Sequence, residues 1–306
     1  MRGRIMGEQQ DLQRGDKVIL VTGATGRQGG AVTARLLANG WTVRALTRSS
    51  SSRSAAALAE AGVQLAVGHP GDRASLKAAV DGVHGVFSVQ PGTLGAVPVR
   101  YDTEIAWGRD IADVALAAGA AHLVFASVAG AERSEGVRAF EPKLRIEEHI
   151  RRIGAPATIL RPVSFMENYA DPAFGLGSGT LATPLAADVP EQLVALQDIG
   201  AFAAMAFDDP DTYLGLALDI VGDALTPVQI AQALSRAIGR HIPYVPVPIN
   251  ALGSQHAEFA EAVDFLNRNG GYGAELAPAR ELHRGLLTFD QWLTLHGTAM
   301  ITALMP

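Results

Sequence analysis

Short apolar runs alternate with stretches of helical periodicity through the first half of the chain. The runs predict six strands, at residues 18–22, 42–46, 63–67, 85–89, 123–127 and 157–160. Strands that are apolar along their whole length, and that are separated by helices, indicate a parallel sheet covered on both faces. Because crossovers between parallel strands are right-handed, the pattern predicts an α/β protein with a doubly wound Rossmann sheet.

Apolar positions at helical spacing predict the connecting helices, at residues 26–39, 54–61, 73–80, 103–118 and 142–153. Most of these helices end at a glycine, which readily takes the left-handed backbone that terminates a helix. Asp72 directly precedes the third helix and is its predicted N-cap.

After Arg161 the pattern becomes irregular, with frequent proline, glycine and polar residues up to residue 190. Short helices are predicted at residues 199–207, 226–238 and 257–269, and a strand at 216–221 is expected to return to the main sheet. We therefore expect three parts: a flexible extension at 1–16, a Rossmann domain at 17–161 with a returning strand near 214–222, and a smaller mixed lobe at 162–306.

The composition is that of an ordinary globular protein and excludes several kinds of chemistry. Of the 306 residues, 48% are hydrophobic and 18% are charged, and the formal net charge is -6. Because there is no long basic run, we expect no nucleic-acid partner and no anionic membrane partner. The absence of cysteine excludes disulfides, thiolate metal ligands and cysteine nucleophiles. The eight histidines lack ligand spacing, so we expect no metal site.

No stretch of the sequence is typical of a signal peptide or a membrane span. The first sixteen residues are polar and lack an apolar core. The most apolar long stretch, residues 112–131, contains Asp113 and His122 and is predicted to be a helix end followed by a buried strand. A cytoplasmic location is expected, and a homodimer is a possible assembly.

The run VTGATGRQGG follows the first predicted strand and begins the first predicted helix. Its spaced glycines suit a loop in which the chain turns sharply and the backbone approaches a pyrophosphate. The helix N-terminus offers unpaired N–H groups to phosphates, and Arg27 adds a positive charge. Because a strand and a helix flank the run, it predicts a dinucleotide site rather than a simple tight turn. The predicted cofactor contacts in this run are Gly23, Thr25, Gly26, Arg27, Gln28 and Gly29.

The end of the second strand indicates which dinucleotide is preferred. Sites that prefer NAD place an acid there for the ribose 2′-hydroxyl, whereas this chain has LTRSS and no acid before Glu60. Arg48 can pair with a 2′-phosphate, and the serines that follow can donate hydrogen bonds. The cofactor prediction is therefore NADP(H), with a solvated surface arginine as the alternative for Arg48.

Several ordered motifs resemble those of the NmrA-like atypical short-chain dehydrogenase/reductases. The glycine run is followed by VRALTR, GVFSVQ, FASVAGA, Lys143 with Glu147, and RPVSFMEN, and then by DIGAFAAMAF, VGDALTPVQIAQALSRAIGR and NRNGGYGAEL. The resemblance covers nearly everything after Asp16 and implies a Rossmann domain, a small C-terminal lobe and a substrate cleft between them. Some members of that family are NADPH-dependent reductases of quinones, azo compounds or related molecules, and others bind NADP and act as redox-sensing regulators.

The resemblance also implies cofactor contacts beyond the glycine run. Gln90, in GVFSVQ, and Phe165, after the sixth strand, are expected near the cofactor. Relatives commonly carry an aspartate near the adenine, after the third strand, and here His69 stands at that place. His69 either contacts the adenine or is an ordinary loop histidine.

The usual proton donor of short-chain dehydrogenases is absent. Those enzymes place a tyrosine four residues before the lysine that holds the nicotinamide ribose, and here Ala139 stands four residues before Lys143. Lys143 is expected to orient the ribose, with proton donation or a surface position beside Glu147 as alternatives. Ser127, at the end of the fifth strand, is expected to bind substrate or to cap a turn.

Four residues of the C-terminal half are predicted to contact substrate: Met166, Asn168, Tyr169 and Tyr272. For Phe165 and Met166, core packing is the simpler single role, and Tyr272 is also a candidate proton donor. Without a protein acid, hydride transfer favours acceptors whose reduced form takes a proton from water. The sequence therefore predicts an NADPH-dependent reductase of a quinone, azo compound, enone or imine. The alternative is a non-catalytic NADP(H)-binding regulator that acts through a protein partner.

Overall fold

The structure is a computed structural model that describes residues 14–95, 97–253 and 256–305. Most of the extension expected at residues 1–16 therefore lies outside the described residues. The chain folds into two compact units. Unit 1 comprises the residues up to Ser127 together with Pro142–Leu160 and Ile199–Leu218, and unit 2 comprises Val128–Glu141, Arg161–Asp198 and Asp219–Pro306. Compared with the expected boundary at Arg161, residues 128–141 join unit 2 and residues 199–218 join unit 1.

The described residues form strands in three sheets. The strands are β1 Val18–Val21, β2 Thr42–Thr47, β3 Gln64–Val67, β4 Gly85–Ser88, β5 His122–Ala126, β6 Ala157–Pro162, β7 Ser164–Phe165, β8 Leu181–Thr183, β9 Glu191–Val194, β10 Ala217–Ile220, β11 Asp223–Leu225 and β12 Tyr244–Pro246. The largest sheet has the order β10-β6-β5-β4-β1-β2-β3, and its pairs from β3 to β6 are all parallel. This is the doubly wound Rossmann order, so the predicted fold and the predicted returning strand are confirmed.

The helices of the described residues include all eight predicted ones, with ends that differ by up to three residues, and four short ones at 210–213, 276–282, 289–292 and 298–302 that were not predicted. They are α1 Arg27–Ala38, α2 Arg53–Glu60, α3 Arg73–Val80, α4 Tyr101–Ala117, α5 Glu141–Arg152, α6 Leu196–Asp208, α7 Pro210–Tyr213, α8 Pro227–Ile238, α9 Ala257–Asn269, α10 Leu276–Leu282, α11 Phe289–Trp292 and α12 Thr298–Thr302. Asp72 caps α3 as predicted, because its carboxylate accepts the N–H of Ala74 at 3.0 Å. No helix among the described residues has the length and apolar character needed to cross a bilayer.

The core of unit 1 forms where helices cover the apolar strands. Every residue of β4 and β5 is buried, as a sheet covered on both faces requires. Leu20 from β1 and Phe125 from β5 belong to the same apolar cluster as Ile111 from α4 and Ile146 from α5. This packing fixes α4 and α5 beside the carboxyl ends of the central strands, where open parallel sheets bind ligands.

Unit 2 contains the two small sheets and a second apolar core. In one sheet β9 pairs antiparallel with β11 and parallel with β7, and in the other β8 and β12 are parallel. Thr226 and Gln229 form a capping box at the start of α8. The largest side chains of this core are Tyr169, Phe289 and Trp292, all almost fully buried.

Candidate functional site

The glycine run forms a tight loop between β1 and α1. Gly23 has a left-handed backbone, with φ of +62°, and its carbonyl accepts the N–H of Gly26 at 2.8 Å. A Cβ at Gly29 would collide with the backbone of Gly23, so any side chain there would displace the loop. The run therefore has the close approach of helix and loop that a dinucleotide site requires.

The N-terminus of α1 is suited to bind an anion. It follows Gly26, which has no side chain to cap the helix, and its first turn contains no acidic residue. The N–H groups of this turn are therefore available to phosphate oxygens. Thr25 and Arg27 are exposed beside the turn, and Gln28 is half-buried with an Oε1 that has no hydrogen-bond partner among the described residues. These groups fit a pyrophosphate.

Arg48 directly follows β2, the parallel neighbour of β1. It is exposed and makes no hydrogen bond or ion pair with a described residue. Ser49 and Ser51 pair through their hydroxyls at 3.0 Å, and Ser52 is engaged as the N-cap of α2. A guanidinium at this place that pairs with no acceptor in the described part of the chain fits a bound 2′-phosphate.

The loop after β4 completes the edge of the sheet beside the glycine run. Thr22 joins β1 to this loop, because its hydroxyl donates to the carbonyl of Val89 at 2.9 Å and accepts the Val89 N–H at 2.8 Å. Gln90 is buried and donates to Ser88 Oγ at 2.6 Å, while its Oε1 has no partner among the described residues. A buried carbonyl oxygen without a partner is costly unless a ligand satisfies it.

His69 is held firmly in the loop after β3. Its ring Nδ1 accepts the backbone N–H of Gly71 at 3.0 Å, and the backbone N–H of His69 donates to Ser75 Oγ at 3.1 Å. Its ring meets Trp107 edge to face, with centroids 4.7 Å apart. An adenine contact by His69 stays a prediction, and Trp107 is a neighbour that the sequence did not single out.

Lys143 lies on the inner face of α5 and is paired with a buried acid. Its Nζ lies 2.6 Å from Oε1 of Glu104, whose side chain is completely buried, while that of Lys143 is 13% exposed. The ammonium also lies 5.9 Å from the ring centroid of Phe125. The alternative of a surface lysine beside Glu147 is therefore wrong, since the buried face of α5 brings Lys143 to α4 instead.

Glu147 is engaged by other residues. Ser127 donates its hydroxyl proton to Glu147 Oε1 at 2.5 Å, and Arg151 donates to Oε2 at 2.7 Å. Ser127 is itself buried. Because a serine has a single hydroxyl proton, Ser127 in this arrangement offers only its lone pairs to a ligand.

In unit 2, two of the predicted substrate residues belong to one polar cluster. Tyr169 donates to Glu191 Oε2 at 2.5 Å, and Tyr272 Oη lies 3.2 Å from Ser164 Oγ. Burial raises the pKa of Glu191, although hydrogen bonds from Tyr169 and Ser164 oppose the shift. Burial also raises the pKa of Tyr272 to about 12. The cluster therefore holds hydroxyl protons within an otherwise apolar region.

The other predicted residues of unit 2, two for substrate and Phe165 for the cofactor, differ in exposure. Met166 is fully buried in the core, and Asn168 and Phe165 are half-buried. Ala139 lies in the turn before α5, and the adjacent Phe140 packs against the rings of Phe265 and Tyr272. No hydroxyl therefore stands at the position of the usual tyrosine.

Sequence reasoning did not identify Glu104, although a signal was available. In a helix, Glu104 shares a face with Gly108, Ile111 and Ala115, which are all buried. An acid on an apolar helical face indicates a buried, partnered carboxylate. Glu191 carries no comparable signal, because its strand β9 has only four residues.

Comparisons with known proteins agree with this geometry. A model described as the NmrA-like family matches residues 15–293. The (4-alkanoyl-5-oxo-2,5-dihydrofuran-3-yl)methyl phosphate reductase of Streptomyces griseus subsp. griseus is 33% identical over 236 residues, which are 76% of this chain and 78% of that protein.

Solved structures share the fold over nearly the whole chain. The triphenylmethane reductase of Citrobacter sp., in complex with NADP(H), has a TM-score of 0.77 at 23% identity and covers 90% of this chain and 99% of its own. The negative transcriptional regulator NmrA, in complex with NADP, has a TM-score of 0.75 at 23% identity and covers 94% and 97%.

Proposed function

Since this chain belongs to the NmrA-like family, we propose that it binds NADP(H) in unit 1 and acts as an NADPH-dependent reductase of planar, electron-poor small molecules. The cofactor assignment is carried by the glycine loop, where Gly29 lies so close to Gly23 that no side chain fits. The same assignment is supported by the N-terminus of α1, which has no side-chain cap, and by Arg48, which has no partner among the described residues.

The residues that would hold NADPH line the carboxyl edge of the main sheet. The loop N–H groups at Gly26 and the first turn of α1 take the pyrophosphate, and Arg48 takes the 2′-phosphate. Gln90 would accept a hydrogen bond from the cofactor through its Oε1, which has no partner among the described residues. Lys143 would bind the nicotinamide ribose. When bound, NADPH supplies a hydride.

The substrate class follows from the proton donors that this chain lacks. Ketone reduction needs an acid at the developing alkoxide, and the position of the usual tyrosine is Ala139. The structure adds a second reason, because Ser127 donates its only hydroxyl proton to Glu147 and therefore has none to donate to a substrate. Quinones, azo compounds and enones suit such a site, since hydride addition gives stabilised anions that take a proton from water, and an imine suits it when it binds already protonated, as an iminium ion.

The relatives support this class of acceptor. The named substrate of the Streptomyces reductase has carbonyl groups conjugated to a ring double bond, and the Citrobacter enzyme is described in connection with triphenylmethane dyes. Both kinds of molecule carry an extended conjugated system. We therefore place the substrate of this chain among conjugated acceptors.

The polar cluster of unit 2 is our candidate for substrate recognition. Tyr272 and Ser164 present adjoining hydroxyls, and the raised pKa of Tyr272, about 12, keeps its proton in place as a hydrogen-bond donor at neutral pH. Such a donor recognises a carbonyl oxygen of the acceptor through a hydrogen bond. Tyr169 orients Glu191 behind this pair, and Asn168 and Met166 are proposed as further contacts.

A non-catalytic regulator is the second candidate function. The absence of a hydroxyl at residue 139 and the engagement of Ser127 favour it, as does the fold shared with NmrA. As a regulator, this protein would bind a protein partner with an affinity that depends on bound NADP(H). Under either function, we propose a cytoplasmic protein that acts without nucleic acid, and a homodimer as its assembly.

The experiment is to follow NADPH absorbance with a panel of quinones, azo dyes, enones, imines and simple ketones. The reductase proposal expects oxidation with one or more conjugated acceptors and little with simple ketones. NADPH binding without oxidation by any acceptor would instead favour the regulator.

A further inference from the structure

Two acid–base pairs join the same two helices of unit 1. Near the start of α4, Glu104 Oε1 lies 2.6 Å from Lys143 Nζ on α5. Nine residues further along α4, Asp113 Oδ1 lies 2.6 Å from His149 Nε2 on α5. Both pairs connect the helices, so helix packing alone does not distinguish them.

Their surroundings do distinguish them. The side chain of Glu104 is 0% exposed, whereas that of Asp113 is 34% exposed. The loop after β4 also closes on Glu104, since a Cβ at Gly92 would lie 3.1 Å from its Oε2. A fully buried carboxylate loses its hydration, and an apolar pair of similar size would serve packing equally well.

The position of the pair indicates what it holds in place. The ends of α4 and α5 that carry Glu104 and Lys143 follow β4 and β5, at the ligand-binding edge of the sheet. Lysine has a flexible four-carbon side chain with three donors. The contacts with Glu104 and with the ring of Phe125 fix one side of the ammonium, so its remaining donors can point towards a ligand.

We propose that Glu104 is a positioning residue, which holds the Lys143 ammonium in the place that binds the nicotinamide ribose of NADPH. This inference rests on the proposed function in one respect, the assignment of Lys143 to the cofactor. Glu104 acts through Lys143 and does not itself touch the cofactor. The geometry thus extends the site from α5 to the buried face of α4.

The test compares Glu104→Gln with Asp113→Asn, a matched control that weakens the other pair between the same helices. The readouts are the dissociation constant for NADPH, from quenching of protein fluorescence, and the melting temperature. We expect Glu104→Gln to weaken NADPH about tenfold or more, because a charge-assisted contact that orders the lysine is lost. Asp113→Asn should change the dissociation constant by less than about twofold. A purely structural role would instead lower the melting temperature of both variants without a specific loss of affinity in Glu104→Gln, and would overturn the proposal.

A double-mutant cycle tests whether Glu104 acts through Lys143. The variants are Lys143→Met, Glu104→Gln and the combination, which leaves no buried charge unpaired. We expect the combination to bind NADPH as weakly as Lys143→Met alone, and losses that simply add would contradict a shared role. If Glu104→Gln does not fold, Glu104→Asp retains the charge but shifts it, and unchanged affinity in that variant would contradict the proposal.

Because binding is measured without an acceptor, the outcomes separate the two proposals. Loss of NADPH affinity in Glu104→Gln supports the positioning role even if the wild type oxidises no NADPH, a result that would overturn only the reductase activity. A wild type that binds no NADPH would overturn both.

Discussion

Arg48 shows how far a single position can be predicted from its place in the chain. The sequence places it at the end of the second strand, where no acid is available for a ribose hydroxyl. In the structure it lies there, exposed and without an ion-pair partner among the described residues. Motif and topology were enough to place this residue at the end of β2, and its contact with a 2′-phosphate stays a prediction.

We expect Arg48→Ala to weaken NADPH binding about tenfold or more and to leave NADH binding nearly unchanged. The reason is that only NADPH carries the 2′-phosphate with which the guanidinium pairs. Titration of both cofactors against the variant and the wild type measures the two losses. Equal losses for NADPH and NADH would refute the phosphate role.

Burial and partners could not be predicted at this scale. The i, i+4 spacing of Lys143 and Glu147 suggested a pair on one helix, yet the two residues contact Glu104 and Ser127 respectively. Those contacts depend on how α4 and β5 pack against α5. Single-sequence periodicity records the face of a residue, and it does not record which element covers that face.

Among the elements, the long periodic ones could be predicted and the short ones could not. The strands of the Rossmann sheet are apolar along their length and separated by helices, so their limits were predicted to within one or two residues. Strands β7, β8, β9, β11 and β12 were missed, since each has only two to four residues and, unlike the four-residue strands of the main sheet, none belongs to a regular alternation of apolar runs and helices. Such segments are too short for an alternating pattern to show.

The loop between β1 and α1 allows a sharp test, because adjacent glycines differ in their surroundings. A Cβ at Gly29 would collide with the backbone of Gly23, whereas a Cβ at Gly30 would meet Ala24 O at an ordinary 3.5 Å. We expect Gly29→Ala to weaken NADPH about tenfold or more, since the loop must move. The control Gly30→Ala should bind normally, because alanine favours the helix. Equal affinities for the two variants would contradict the close approach.

At the amino ends of the strands in the main sheet, a buried histidine should make the stability of the fold depend on pH. His122, at the start of β5, lies 2.8 Å from Thr158 Oγ1 and against the ring of Phe207. Burial, with a smaller contribution from His84, lowers the pKa of His122 to about 4. Since the unfolded chain binds this proton from about pH 6.5 downwards, the stability present above pH 6.5 is lost as the pH falls towards 4.

The loss attributable to His122 is up to about 3 kcal/mol. His122→Gln cannot titrate, so its free energy of unfolding should fall less steeply than that of the wild type across this range. Urea unfolding of both proteins at several pH values measures the difference. Parallel curves would show that burial of His122 does not set the dependence.

At the scale of the whole molecule, the sequence predicted two parts but placed the boundary at a single point. Residues 199–218 belong to unit 1, so the chain returns to the first unit after entering the second. The returning strand was expected from its apolar run. The helix before it was not assigned to unit 1, because nothing local in a helix states which core it will join.

A fragment of residues 14–161 tests the importance of this return. It lacks β10, and it lacks Phe207, whose ring contacts Trp41 and His122, together with Asp208, which accepts a hydrogen bond from Trp41. We expect the fragment to lose cooperative thermal unfolding, followed by circular dichroism beside the full chain. If the fragment unfolds cooperatively and binds NADPH, residues 14–161 suffice for folding and for cofactor binding.

The proposed reductase activity requires that a hydride passes from bound NADPH to the acceptor. The most direct measurement is to supply NADPH with both hydrogens at the nicotinamide C4 replaced by deuterium, together with an enone or imine acceptor, in which the hydride goes to a carbon atom that does not exchange with water, and to weigh the product by mass spectrometry. We predict one deuterium per product molecule, transferred by the wild type and nearly abolished in Gly29→Ala at subsaturating NADPH. Deuterium-free product from an acceptor reduced at carbon, or no product with any conjugated acceptor, would contradict the reductase.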